Sequence, residues 1–377
     1  VTRRANGEGS VSERKDGRWE GAAYVLLADG TYARRRVYGR TRQEASRRLT
    51  EIVSRSQGGL PADATEWTVE RFLTYWLDQV VKPTRKPKTY EGYELVARVH
   101  LIPALGRKRL HRLTAADVRL FVKRVESAKP PPSTRLVQQV HAVLRNALQA
   151  AVREELIGRN VASLVQVASP SYDVNRGLTV AQARKLLAVS RDNRLHALYV
   201  LAVYLGLRRG ELLGLQWRDV DLDAGLVEVR SSLQRVGGEL RAVTPKTRSS
   251  RRTVPLIGLC GEALDEHRTA QNAERAAAGL AWLDTGYVFT TGAGTPIEPA
   301  NLRRSWYPLR DAAGLGPVRL HDLRHTCVSL LLDLGAPPHV VREIVGHADL
   351  SVTMMIYAHA SQEDKRTALG RLDDRLR

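Results

Sequence analysis

Two interruptions in the hydrophobic pattern, GGLPADAT at 58–65 and SPS at 169–171, constrain the fold of this chain most. Gly, Pro and short polar residues punctuate secondary structure, and 377 residues are too many for one ordinary core. The breaks predict three domains, at 1–60, 61–170 and 171–377. In the first, Asp16-Gly17 and Asp29-Gly30 are turn signals between short strand-like runs. Thr41, with Glu44 three residues on, then opens a helix over RQEASRRLTEIVSR. Three strands and one helix form a marginal core that can still present a basic sheet. Its most cationic strand carries Arg34, Arg35, Arg36, Tyr38 and Arg40.

The second stretch reads as all helical. Val69, Phe72, Leu73, Trp76 and Leu77 follow helical spacing behind Thr68. A further helix is predicted around Thr89 to Val99, another after the cap at Thr114, and a long one from Thr134 to Glu155 beyond KPPPST. The aromatic residues here are assigned to the core. Lys82, Arg85, Lys86, Lys88 and residues 107–109 fall in loops or at helix ends, where phosphates can reach them. The third stretch is mixed. Thr179 caps a helix bearing Ala183, Leu186 and Leu187, and LHALYVLAVYLGL forms the next. Short antiparallel strands follow, with turns at Gly237-Gly238 and around Ser249-Ser250, before helices resume.

The formal charge of +19 predicts attraction to a polyanion. The surplus is uneven: 13 basic against 7 acidic residues to Leu60, then 18 against 10 to Pro170. The remaining residues carry 28 against 23. Cys260 and Cys327 are the only cysteines, so neither a disulfide framework nor a cysteine-rich zinc site is supported. There is no apolar run long enough to span a bilayer and no signal-peptide pattern, which points to the cytoplasm.

Six residues in four separate stretches carry the chemistry: Arg208, Lys246, His321, Arg324, His347 and Tyr357. A guanidinium presents a planar fork of donors to a phosphate's non-bridging oxygens, and two of them can neutralise a five-coordinate phosphorane without a metal. Imidazoles, with free pKa values near cellular pH, and an ammonium can move protons. Glu211 can fix Arg208 or a neighbouring N–H, and Arg209 competes with Arg208 for the role. The spacing of His321, His325, His347, His359 and Cys327 resembles no compact zinc set.

With GLRRGE, PKTRSSRRTVPL, HDLRHT, VGH and YAH in this order, the chain resembles a tyrosine recombinase, specifically a phage or integrative-element integrase of actinobacterial type. The resemblance covers essentially the whole chain. It implies Arg208, Lys246, His321, Arg324 and His347 as catalytic groups and Tyr357 as the nucleophile. It also implies a multidomain fold: a small three-stranded sheet plus helix that binds arm sites, an all-helical, SAM-like core-binding domain, and a mixed, mainly helical α+β catalytic domain. The implied reaction needs no metal, ATP or other cofactor. It runs through a 3′-phosphotyrosyl link and a Holliday junction, in a homotetramer on double-stranded DNA with core and arm sites. An excisionase and a host DNA-bending protein are the further partners, and no membrane is involved. In relatives such a C-terminal tail packs on a neighbouring protomer, and Leu369, Leu372 and Leu376 could line a docking helix here. The competing readings are a chromosome-dimer or cassette recombinase, a type IB topoisomerase, and a catalytically silent DNA-binding regulator.

Overall fold

The computed structural model describes residues 9–27, 31–62, 67–169, 177–243, 251–347, 349–350 and five isolated positions of the tail. The predicted turns at Asp29-Gly30 and Ser249-Ser250, Lys246, Tyr357 and the three tail leucines lie outside the described residues. The chain divides into two compact units, Val1–Ser171 and Tyr172–Arg377.

The first unit opens with an antiparallel sheet of β1 (Ser10–Glu13), β2 (Trp19–Leu26) and β3 (Tyr32–Gly39) in that order. Helix α1 (Arg42–Gln57) covers one face, burying Ala23, Val25 and Leu49. Thr41 caps it by accepting from the Glu44 N–H, while Glu44 reaches back to the N–H of Arg40. Side chains alternate across a strand. In the β2–β3 register Gly21 faces Val37 and Ala23 faces Arg35, whereas Tyr24 faces Arg34 and Ala22 faces Arg36. Arg35 therefore shares the helix-side face of the sheet, and the cationic strand is not one continuous edge. The open face carries Tyr24, Tyr32, Arg34, Arg36 and Tyr38, all exposed.

A helical bundle completes this unit. Helix α2 (Val69–Tyr75), capped by Thr68, runs through π-helical turns at Trp76–Val81 into α3 (Lys82–Thr84). Helix α4 (Pro87–Val96) continues likewise through Ala97–Leu101 into α5 (Ile102–Leu105). Helix α6 (Ala115–Glu126) starts from a Thr114–Asp117 capping box, and α7 (Thr134–Arg153) is the long central helix. Phe72, Trp76, Phe121, Leu144 and Leu148 are buried between them, each contributing about 1.5–3 kcal/mol. Lys82, Arg85, Lys86, Lys88, Arg107, Lys108 and Arg109 are all exposed. Glu51 of α1 meets His111 at 3.2 Å and Arg112 at 3.1 Å, joining the sheet module to the bundle.

In the second unit α8 (Val180–Val189), with its Thr179–Gln182 capping box, precedes α9 (His196–Tyr204). Helix α9 is apolar on every side, which suits a central position, and its residues 196–203 are all buried. Around it lie α10 (Arg209–Leu213), α11 (Leu259–Ala278), α12 (Leu302–Ala312), α13 (Asp322–Asp333) and α14 (Pro338–Val345). A three-stranded sheet orders β4 (Val220–Asp221), β5 (Leu226–Val229) and β8 (Arg252–Pro255), while β6 (Ser232–Val236) and β7 (Glu239–Val243) form a hairpin turning at Gly237-Gly238. Among the described residues no helix is long and apolar enough to cross a membrane.

Candidate active site

Three chain segments, at the starts of α10 and α13 and the end of α14, converge here. Arg208 stands at the N-cap of α10, Arg324 lies in the first turn of α13, His321 occupies the position just before that helix, and His347 follows α14. Helix α14 ends at Gly346 with φ of 69°, a left-handed turn that glycine adopts without a Cβ penalty. The turn exposes the Gly346 carbonyl, to which Arg208 Nη2 donates at 2.8 Å. Arg324 Nη1 donates to Gly206 O at 2.7 Å, and Arg324 Nε to His347 Nε2 at 3.3 Å. With Nε2 accepting, the His347 proton sits on Nδ1. Arg324 Nη2 is buried and has no acceptor among the described residues. Helix α13 is itself anchored where the chain enters the unit: the Leu178 N–H donates to Thr326 Oγ1 at 2.8 Å.

Glu211 organises the other side. Its Oε1 accepts from Arg208 Nη1 at 2.7 Å, and its Oε2 from the Arg208 N–H at 3.0 Å and Arg252 Nη2 at 3.1 Å. Burial pushes this carboxyl up, but Arg252 and Arg208 outweigh it and hold Glu211 below the usual carboxylate range. Three guanidiniums around one carboxylate leave a positive surplus with little water to screen it. Burial, and then Arg208, push the Arg324 guanidinium down to about 9. That charged form is destabilised until an anion arrives.

The same surplus changes the histidines. Burial, then Arg324 and Arg208, push His347 down to about 3. His321 keeps exposed surface, yet burial of the rest of the ring, with His325 and Arg324 nearby, pushes it down to about 4. The His321 and His325 rings meet edge to face at 5.4 Å. Both site imidazoles are therefore neutral at cellular pH, not poised near their free pKa values as the sequence suggested. Among the described residues, no group of three or more His, Cys, Asp or Glu is arranged to hold a metal.

Of the six predicted residues, the structure places Arg208, His321, Arg324 and His347 in one site, while Arg209 stays exposed. Arg252 was not anticipated. Its signal was its place two residues before buried Val254 on β8, which puts both on the same face.

Residues 176–364 match the model of the Phage integrase family, and residues 68–125 that of the phage integrase N-terminal SAM-like domain. The chain belongs to the phage integrase family. It is thus a tyrosine recombinase that acts on DNA at specific sites for an integrative element. An integrase of Streptomyces ambofaciens is 33% identical over 372 residues, spanning 94% of this chain and 93% of that protein. A solved fragment of the Tn1549 transposon integrase, in complex with transposon right end DNA, aligns with TM-score 0.69 and 21% identity. The alignment covers 81% of this recombinase and 100% of the fragment. A lambda integrase tetramer bound to a Holliday junction gives TM-score 0.56 and 16% identity over 94% of this chain and 96% of that one. These structural likenesses speak to the fold.

Proposed function

We propose that the recombinase cuts and rejoins DNA through Tyr357, with Arg208 and Arg324 holding the scissile phosphate. The observation that carries this reading is the Arg324 guanidinium, buried among further cations with Nη2 lacking an acceptor among the described residues. A phosphate oxygen supplies that acceptor and offsets the charge surplus. The phenolic oxygen of Tyr357 bonds to phosphorus while its proton passes to the neutral His321. The P–O5′ bond breaks, and Lys246 protonates the leaving O5′, which departs as a hydroxyl. The 5′-hydroxyl of a partner duplex then attacks the 3′-phosphotyrosyl group and frees the tyrosine. Each step exchanges one phosphodiester-type bond for another, so neither ATP nor a metal is needed in this scheme.

In the same reading, residues 1–60 bind arm sites, 61–170 and 171–377 bind and process the core site, and two strand exchanges pass through a Holliday junction in a homotetramer. The tyrosines and arginines on the open sheet face and the exposed cations of the bundle support the DNA-binding roles. An excisionase, a host bending protein and a cytoplasmic location are assigned from the resemblance.

The test is a denaturing-gel assay for a protein–DNA adduct on nicked duplexes carrying candidate attachment sequences, without divalent metal. The wild-type chain should give an adduct and Tyr357→Phe none, although the variant still binds. Specific binding by the wild-type chain without any adduct would favour a binding-only regulator.

A further inference from the structure

Arg252 has no part in the scheme above, yet it is among the most deeply placed cations of the site. Its side chain is 7% exposed and that of its partner Glu211 3%, and its Nε and Nη2 are committed to protein acceptors, whereas Arg324 keeps a buried Nη2 without an acceptor among the described residues. Among the contacts of Arg252, those to Glu211 and Ile344 tie separate segments together. Nη2 donates to Glu211 Oε2, the same oxygen that receives the Arg208 N–H, and Nε donates to Ile344 O at 2.7 Å. Arg208 reaches two residues further along, to Gly346 O. The last turn of α14, which delivers His347, is therefore held by two arginines whose common counter-ion is Glu211. Gly346 leaves room for this: a Cβ there would lie 2.7 Å from Arg252 Nη1.

We propose that Arg252 is a positioning residue, which through Glu211 and the Ile344 carbonyl fixes the aim of Arg208 and the seat of His347. This rests on the phosphate-clamp reading above. A carboxylate shared with Arg252 cannot fully neutralise Arg208, so Arg208 keeps attraction for the substrate anion. Without Arg252, Glu211 would close on Arg208 alone and the end of α14 would lose one of its two tethers. A misaimed guanidinium costs rate rather than binding, because it acts on charge that develops in the transition state.

The experiment compares Arg252→Met and Arg252→Lys with the wild-type chain on two nicked core-site duplexes. One carries an ordinary scissile phosphodiester, and the other a methylphosphonate, in which a methyl group replaces one charged non-bridging oxygen. Adduct formation by Arg252→Met should fall about 10-fold or more on the phosphodiester, with DNA binding kept. Arg252→Lys, whose single ammonium cannot span both partners, should lose less. On the methylphosphonate, which is neutral before attack and carries one charged non-bridging oxygen fewer in the transition state, there is less charge for the arginines to hold, and both variants should approach the wild-type rate. Wild-type yields from Arg252→Met, or equal losses on both duplexes, would overturn the inference, the second result indicating general damage to the fold. Should the wild-type chain form no adduct at all, the tyrosine reading would fail first, and Tyr357→Phe alongside identifies that case.

Discussion

The recombinase uses arginine in two opposite ways. On the open face of the N-terminal sheet, Arg34 and Arg36 stand in solvent among exposed tyrosines. In the second unit, the side chains of Arg252 and Arg324 are buried and share the neighbourhood of Arg208 with one carboxylate. A solvated guanidinium costs the fold little, and its attraction for DNA is screened by salt. A buried one burdens the fold until a substrate completes its hydrogen bonds, and in return it acts where water cannot weaken it. In the proposed scheme the same residue type serves affinity in one region and rate in the other.

The largest effect that could break this comparison is at Arg324. Arg324→Ala should reduce adduct formation roughly 10³-fold, the scale of losing a preorganised donor, while binding to core DNA falls far less. Equal loss of both in a gel-shift and adduct assay would erase the distinction. Removing the exposed pair, Arg34→Ala with Arg36→Ala, should leave cleavage of a short core duplex unchanged. It should lower the salt slope of binding to longer DNA by about 2, roughly one per lost phosphate contact. An unchanged slope would deny the sheet its proposed role.

The smallest effect is in pH. His321 and His347 are pushed down to about 4 and about 3, and burial also lowers His196, His267 and His325. As pH falls below about 6.5 the unfolded chain takes up protons before the folded one does. Stability contributed by these groups is therefore full above that pH and lost progressively toward their folded values. The unfolding midpoint without DNA should fall between pH 7 and pH 5, above the range where most carboxylates titrate. A flat midpoint over that interval would contradict the lowered pKa values.

Helix starts were legible because caps are local: Thr41, Thr68, Thr114 and Thr179 each bond a backbone N–H three residues on. The family was legible because its boxes are contiguous strings. What escaped depends on contacts between distant segments. The π-helical turns at Trp76–Val81 and Ala97–Leu101 leave no mark in the periodicity. Arg252 stands in a run of basic residues with no local signal of its own, and contacts to Glu211 and Ile344, 41 and 92 residues away, give it a place. The histidine pKa values could not be read from free-residue chemistry because burial and the arginines set them. Arg35 was grouped with its neighbours until the strand register separated them.

Gly346 marks where the site is least able to drift. Any side chain there must adopt the left-handed backbone and also displace Arg252. As copies of a mobile element decay within genomes, a change at Tyr357 would, in the proposed scheme, remove only the nucleophile and leave a DNA-binding relic. A change at Gly346 disturbs the turn, the arginine tether and the carbonyl that Arg208 grips in one event. Of the two positions, Gly346 is the better place to look when sorting silenced integrases from collapsed ones.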